Sequence, residues 1–324
     1  MSSDADIAVE HTGSGDGRRH AAPPSAAFTL LRLMRLPTVF TAFSNILCGY
    51  LLTHKVTVAQ LTSESDLLLL LTASAGLYLG GMVLNDVCDA ALDAVERPER
   101  PIPSGQISRR QAAAVAVSLM LIGVVAAAMA GPASLAVSLL LTLQVVGYDV
   151  WLKNTVAGPL SMGLCRFLNV LLGGSAAAWA DLWQLPLCGA ATGLLVYVLG
   201  VTWFARNEAG TSSRRSLIAS VAVLMCGTGI AAAVMTASAS SATARQGGLT
   251  ALLLIALHIL FRTGAAVADP QPRRVQQTVG LLLLSIILID AALVFAMTGD
   301  GSLAAIVVAL VLPARLMRRI IPLS

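Results

Sequence analysis

Long apolar runs separated by short polar stretches dominate the chain. They fall at roughly 37–54, 66–88, 112–130, 133–150, 157–179, 186–205, 216–237, 249–268 and 278–297. Each is close to the ~20 residues an α-helix needs to cross the hydrocarbon core of a bilayer. The pattern therefore predicts nine transmembrane helices. A tenth run, 303–313, is short and reads as a half-span or a surface helix. The first 25 residues are polar, rich in Gly, Ser, Asp and Arg, and read as disordered. They lack the apolar core and cleavage site of a signal peptide. The organisation expected is a disordered cytoplasmic tail over 1–27, a helical membrane domain over 28–300, and a short apolar segment with a basic tail over 301–324.

Composition agrees with the pattern. The 324 residues are 56% hydrophobic and only 12% charged, and the mean hydropathy is +0.80. That excludes a soluble globular domain and leaves an all-α, polytopic membrane bundle with the lipid bilayer as its solvent. A net charge of +4 does not indicate nucleic acid here, because the basic residues follow the topology instead of clustering. With the N-terminus in the cytoplasm, the inside segments hold Arg18, Arg19, Arg32, Arg35, Arg97, Arg100, Arg109, Arg110, Lys153, Arg206, Arg214, Arg215, Arg262, Arg273 and Arg274. The outside loops hold only Lys55 and Arg245. This asymmetry orients a multi-pass protein of the cytoplasmic membrane. Cys48, Cys88, Cys165, Cys188 and Cys226 lie in or near apolar runs without a C-x-x-C pair, and read as small buried hydrophobes.

A faint repeat punctuates the inside face. Gly105-Gln106-Ile107-Ser108-Arg109-Arg110 precedes the third span and Gly210-Thr211-Ser212-Ser213-Arg214-Arg215 the seventh. Both read G-x-x-S-R-R. Either an N-cap serine followed by interfacial arginines recurs, or the two segments are a true structural repeat.

The candidate chemistry begins at the inner end of the second span. Asn85-Asp86-Val87-Cys88-Asp89-Ala90-Ala91-Leu92-Asp93 places three carboxylates and a carboxamide at the end of an apolar run. At about 100° per residue, Asp86, Asp89 and Asp93 fall within about 60° of one another on a helix, and Asn85 widens the arc to about 100°. Clustered acids at a bilayer edge repel one another and are costly to desolvate, and a divalent cation relieves both penalties. Oxygen ligands favour Mg²⁺, which also binds substrate phosphates. A solvated helix end is the plainer alternative. The following loop, Glu96-Arg97-Pro98-Glu99-Arg100-Pro101-Ile102-Pro103-Ser104-Gly105, is stiffened by three prolines and carries two arginines suited to phosphate oxygens. Further along, Arg166 lies inside a span with Asn169 one turn away on the same face. A charge there is costly and is usually functional or paired. Asp149 and Asp290 are the candidate partners.

Asn85-Asp86-x-x-Asp89-x-x-x-Asp93, then Arg97, then Arg100-Pro101-Ile102-Pro103-Ser104-Gly105, resembles the first aspartate-rich motif of the UbiA-type intramembrane prenyltransferases over about 20 consecutive positions. The resemblance implies a helical bundle open laterally to lipid. It implies an enzyme that binds an isoprenyl diphosphate through Mg²⁺ and transfers the prenyl group to an acceptor, which the sequence does not identify. It places Asp86, Asp89 and Asp93 on the metal, and Asn85, Arg97 and Arg100 with them around the diphosphate. Tyr148-Asp149-Val150-Trp151-Leu152-Lys153 is similar to the tyrosine and lysine near the end of the family's fourth span, so that Lys153 would neutralise the departing diphosphate. Arg166 would contact or support the same site, with Tyr148, Asn169 and Trp203 near the prenyl cation.

The chain departs from the family where a second aspartate motif belongs. Thr202-Trp203-Phe204-Ala205-Arg206-Asn207-Glu208-Ala209-Gly210 carries one acid. Either Glu208 with Asn207 holds a second, mostly water- and phosphate-bound Mg²⁺, or Arg206 supplies fixed positive charge to the diphosphate instead. The pattern resembles a divergent, EboC-like branch. Two other readings stand beside acceptor prenylation: a terpene cyclase of the same fold, and a transporter or lipid carrier with an acidic gate.

Overall fold

A computed structural model describes residues 26–61, 63–206 and 213–320. Most of the tail expected over 1–27 lies outside these residues, as do Asn207, Glu208 and the Gly210–Ser212 part of the second repeat.

Thirteen α-helices are formed among the described residues: α1 Ala26–Leu33, α2 Val39–Thr53, α3 Val58–Leu61, α4 Ser65–Glu96, α5 Arg109–Ala130, α6 Pro132–Gly147, α7 Gly158–Gly174, α8 Leu185–Ala205, α9 Arg214–Ser238, α10 Ala242–Ala268, α11 Pro272–Thr298, α12 Gly301–Ala309 and α13 Val311–Ile320. Eight of the described helical segments are long and apolar enough to cross a membrane, not the nine expected. The exception is the fifth run. Its helix, α7, has 17 residues, about 25 Å, because the chain turns at Ser175 and forms a separate 3₁₀ turn at Trp179–Trp183. The opposite extreme is α4, whose 32 residues extend about 48 Å. That exceeds a hydrocarbon core of ~30 Å by about the length of Asn85–Glu96.

The helix ends follow local chemistry. Ser108 caps α5 in a reciprocal capping box with Gln111. Gly131 turns the chain between α5 and α6 at φ 148°, and Pro132 starts α6 without needing an N–H partner. In both G-x-x-S-R-R segments the serine is the N-cap residue, Ser108 of α5 and Ser213 of α9, although Ser213 makes no side-chain cap bond. The next arginine in each reaches a carbonyl on another helix: Arg109 to Val87 at 3.0 Å and Arg214 to Ala268 at 2.9 Å.

Successive helices pack side by side, and α2 is the hub, touching α4, α7, α8, α11 and α13. It crosses α7 at Gly49 and Gly173. A Cβ on Gly49 would strike the carbonyl of Val170, and one on Gly173 that of Ile46. Such small-residue contacts let backbones approach where lipid supplies no hydrophobic drive for helix association. The 303–313 run is divided between two helices. α12 packs on α11 and the far end of α2, where Leu303 borders a cavity with Leu51–Thr57. α13 reaches the Leu36–Thr38 turn at the start of α2. The C-terminal segment thus retraces the length of α2.

Candidate active site

The acids occupy the last turns of α4, which ends at Arg97. Their common face meets three basic residues. Arg35 Nη2 lies 2.7 Å from Asp86 Oδ1, and Arg100 Nη1 lies 3.6 Å from the same oxygen. Arg100 Nη1 is also 2.6 Å from Asp93 Oδ2. Lys153 Nζ is 2.6 Å from Asp89 Oδ1. Asp86, Asp93 and Arg100 are buried. Of the two loop arginines, Arg100 turns inward while Arg97 stays exposed. The rigid loop explains the difference: Ser104 N–H and Oγ–H both bond the Arg100 carbonyl, and Gly105 takes φ +75° to turn the chain towards α5.

The sequence alone does not mark Arg35 as a site residue. It is the one described non-glycine residue with positive φ (φ 46°, ψ 45°), a conformation that costs about 1–2 kcal/mol. The ion pair with Asp86 helps hold it there, at the corner between α1 and the 3₁₀ turn Leu36–Thr38. The available signal was its place two residues before Pro37, where a chain entering the first span has to turn.

Asn85 makes a different contact. Its Nδ2 donates to Asp149 Oδ1 at 2.9 Å. Asp149 belongs to a single π-helical turn, Tyr148–Leu152, that ends α6 and leads into Lys153. Wider turns of this kind recur at functional sites. Arg206 Nη2 donates to the carbonyls of Lys153 at 2.5 Å and Thr155 at 2.6 Å, pinning the loop that carries Lys153. Trp203 Nε1 donates to Ser216 Oγ at 3.1 Å.

Arg166 has neither expected carboxylate as its direct partner. Its Nη1 donates to Asn45 Oδ1 at 3.2 Å and its Nη2 to Thr41 Oγ1 at 3.1 Å, and its guanidinium lies 5.0 Å from the Tyr78 ring centroid. Asp290 stands one residue further back, accepting from Ser44 Oγ and Asn45 Nδ2 at 2.7 Å each. Asn45 thus links the buried cation to the buried anion without an ion pair. Asn169 is held by Ser74 Oγ–H and by the Ala42 carbonyl.

Part of this set lines one cavity of about 190 Å³, whereas Asp86, Asp89, Asp93, Lys153 and Trp203 are not on its wall. Asn85, Arg35, Tyr148 and Asp149 line it together with Ser74, Tyr78, Arg166 and Asn169, and Leu77, Leu141, Val145 and Met162 supply apolar wall. Along α4 the lining runs from Ser74 to Asn85, about 16 Å of rise. Tyr78, which contacts Arg166, lies about 10 Å deeper than Asn85. No three acidic, histidine or cysteine side chains form a closed metal-binding group among the described residues. The donor set nevertheless suits a hard cation. Mg²⁺ commonly uses one or two carboxylates and completes its shell with water and substrate phosphate, and three carboxylates lie along this edge.

A model of the UbiA prenyltransferase family matches residues 42–272. The chain belongs to the UbiA prenyltransferase family. Membership makes it a multi-pass membrane enzyme of the prenyltransferase class. Among its relatives, the digeranylgeranylglyceryl phosphate synthase of Methanoregula boonei is 29% identical over 248 residues, 74% of this chain and 89% of the relative. The synthase of the same name from Methanothrix thermoacetophila is 36% identical over 151 residues, 46% of this chain and 55% of the relative. The chain thus spans most of the first and about half of the second. A solved UbiA homologue from Archaeoglobus fulgidus, bound to GPP and Mg²⁺, has the same fold, with a TM-score of 0.63 at 15% identity, covering 87% of this chain and 99% of that one. Within this UbiA frame, Arg35 precedes the matched segment and Asp290 follows it.

Proposed function

We propose that the protein transfers an isoprenyl group from a prenyl diphosphate to a lipophilic acceptor, with Mg²⁺, at the cytoplasmic face of the cell membrane. One observation carries the reading: an acid stripe, each of its members matched by a base, stands at the charged end of a largely apolar cavity. Asp86, Asp89 and Asp93 would hold the metal, and Glu208, which lies outside the described residues, is the candidate for a second metal position. Asn85, Lys153, Arg35, Arg97 and Arg100 surround the diphosphate. Arg206 serves the same group by fixing the carbonyls around Lys153. Mg²⁺ supplies Lewis-acid neutralisation of the leaving diphosphate.

The residues of the chain do the rest. Arg35, Arg100 and Lys153 stand on carboxylates and can exchange them for phosphate oxygens as charge develops there, which favours the transition state over the ground state. The apolar wall holds the prenyl tail and keeps water from the allylic cation. Tyr148 offers an aromatic face on the cavity wall, whereas Trp203, expected near the cation, is off that wall and bonds Ser216. Asn169 and Arg166 form the deeper polar edge of the cavity, so Arg166 shapes the inner part of the site rather than its mouth. The names of the relatives make a glyceryl phosphate hydroxyl the acceptor to test first.

The test supplies purified protein and Mg²⁺ with geranyl, farnesyl or geranylgeranyl diphosphate. Geranylgeranylglyceryl phosphate, an aromatic acceptor or no acceptor completes each mixture, and products are identified by mass spectrometry. Prenylated acceptor is expected. A cyclised hydrocarbon formed without acceptor would make the protein a terpene cyclase instead. Failure to consume any donor would remove the reading altogether.

A further inference from the structure

We infer that Asp149 is the general base of the reaction, taking the proton from the acceptor hydroxyl as the new C–O bond forms. This role rests on the transferase reading above.

Prenylation of a hydroxyl has a proton to dispose of. The allylic C–O bond of the donor breaks and its electron pair leaves with the diphosphate. A lone pair of the acceptor oxygen forms the new bond to the prenyl carbon. The O–H proton must then pass to a base inside a site built to exclude water. Asp86, Asp89 and Asp93 pair with Arg35, Arg100 or Lys153 and are assigned above to the metal, so they are occupied both before and during transfer. Asp149 is the only carboxylate among the residues lining the cavity, and no ion pair is formed by it among the described residues.

Its setting suits the task. Asp149 is 4% exposed, and the π-helical turn presents it beside Tyr148 on the cavity wall. Asn85 donates to one carboxylate oxygen at 2.9 Å, which fixes the group's orientation while leaving a second oxygen for the acceptor. The charged groups acting on it are Lys153, Asp89 and Arg35, with Cys88 and Cys165 close by. Lys153 and Asp89 are bound to each other and Arg35 to Asp86. Asn85 belongs to the diphosphate-binding motif, so the same side chain ties the base to the end of the cavity where the donor ionises. The proton held on Asp149 leaves with the diphosphate when products depart.

The experiment uses the full chain in detergent or nanodiscs, with geranylgeranyl diphosphate as donor and geranylgeranylglyceryl phosphate as acceptor. Asp149→Asn keeps the shape and the contact with Asn85 but cannot take a proton. It is expected to bind a non-reactive geranylgeranyl thiolodiphosphate within about twofold of wild type, whereas transfer falls by roughly 10²–10⁴-fold. Formate is expected to restore transfer to Asp149→Ala, which leaves room for it, and not to Asp149→Asn. Transfer by Asp149→Asn within about threefold of wild type would overturn the role. So would loss of analogue binding in step with loss of transfer, or failure of formate with Asp149→Ala. If the wild type consumes no donor, the transferase reading falls and this role with it; a fully active wild type beside a fully active Asp149→Asn removes the role alone.

Discussion

The ammonium of Lys153 lies 2.6 Å from a carboxylate oxygen of Asp89. This contact joins the loop after α6 to the acid stripe of α4. It also separates the acids into two kinds. Asp89 keeps some contact with solvent, whereas the Lys153 ammonium is buried and Asp93 and Arg100 are almost sealed from solvent.

Asp93→Ala and Asp89→Ala should therefore differ in stability while agreeing in activity. Removing Asp93 takes the 2.6 Å partner from buried Arg100 and leaves it Asp86 at 3.6 Å, so the cost should approach the lower end of the about 3–5 kcal/mol of a broken buried pair. Removing Asp89 should cost less than removing Asp93, because Asp89 is partly exposed and the flexible Lys153 chain can turn its ammonium to water. Both, and Asp86→Ala, should lower prenyl transfer by at least about 100-fold. Thermal unfolding in detergent and steady-state kinetics on the same preparations check the pair of expectations. Full activity in any folded single variant would count against a metal–diphosphate site on α4.

Chelation should stop the reaction and Mg²⁺ should restore it. Ca²⁺ should restore it poorly, because its longer bonds and larger shell fit a diphosphate clamp less well. Titrating each cation into EDTA-treated, desalted protein checks this. Undiminished turnover after thorough chelation would remove the metal from the mechanism.

Arg206→Ala should act through Lys153. The guanidinium sits on the Lys153 and Thr155 carbonyls, so its loss lets the lysine drift. A misplacement of this sort costs roughly ten- to hundredfold in kcat, with a rise in KM for the prenyl diphosphate. Arg206→Lys should recover part of the loss. In a Lys153→Ala background the same substitution should add little, which a double-mutant cycle would reveal. Fully additive losses would mean that Arg206 meets the diphosphate itself.

Gly49→Ala should destabilise the bundle without touching the site. The new methyl would meet the Val170 carbonyl where α2 crosses α7, and overpacking of this kind costs about 1–3 kcal/mol. A lower unfolding temperature with unchanged KM is the expected result. An unshifted unfolding temperature would mean that the two helices separate easily.

The orientation is testable in sealed cells. In a cysteine-free background, Ser104→Cys should resist an impermeant thiol reagent added outside, and Lys55→Cys should react. Outside labelling at position 104 would reverse the topology.

Much of this was legible in the chain, and the part that was not has a common cause. The apolar runs located the helices because lipid forces every crossing segment to satisfy its own backbone. The fifth run read too long because Ala176–Ala178 are apolar yet follow the helix end at Gly174. The acid stripe was legible because its spacing is that of one helix. Its partners were not: Arg35 is 51 residues from Asp86 and Asn85 is 64 from Asp149, and only packing joins them. Arg166 stands out in the sequence as a charge inside a span, but its partner Asn45 is uncharged and carries no such signal. The direction of Asp149 depended on a π-helical turn, which apolar periodicity does not reveal.

The length of α4 has a consequence for the free energy of substrate capture. Its acid-bearing turns extend past the apolar thickness of a bilayer, while its Ser74–Asn85 stretch lines a cavity running back into that thickness. A molecule with a charged head and a hydrocarbon tail can therefore keep both ends in their preferred media throughout turnover. Each methylene drawn from lipid into water would cost about 0.8 kcal/mol. An enzyme reaching its substrate from the aqueous side would meet that cost along the whole tail. Here the tail exchanges one oily surrounding for another, and only the head has to be recognised.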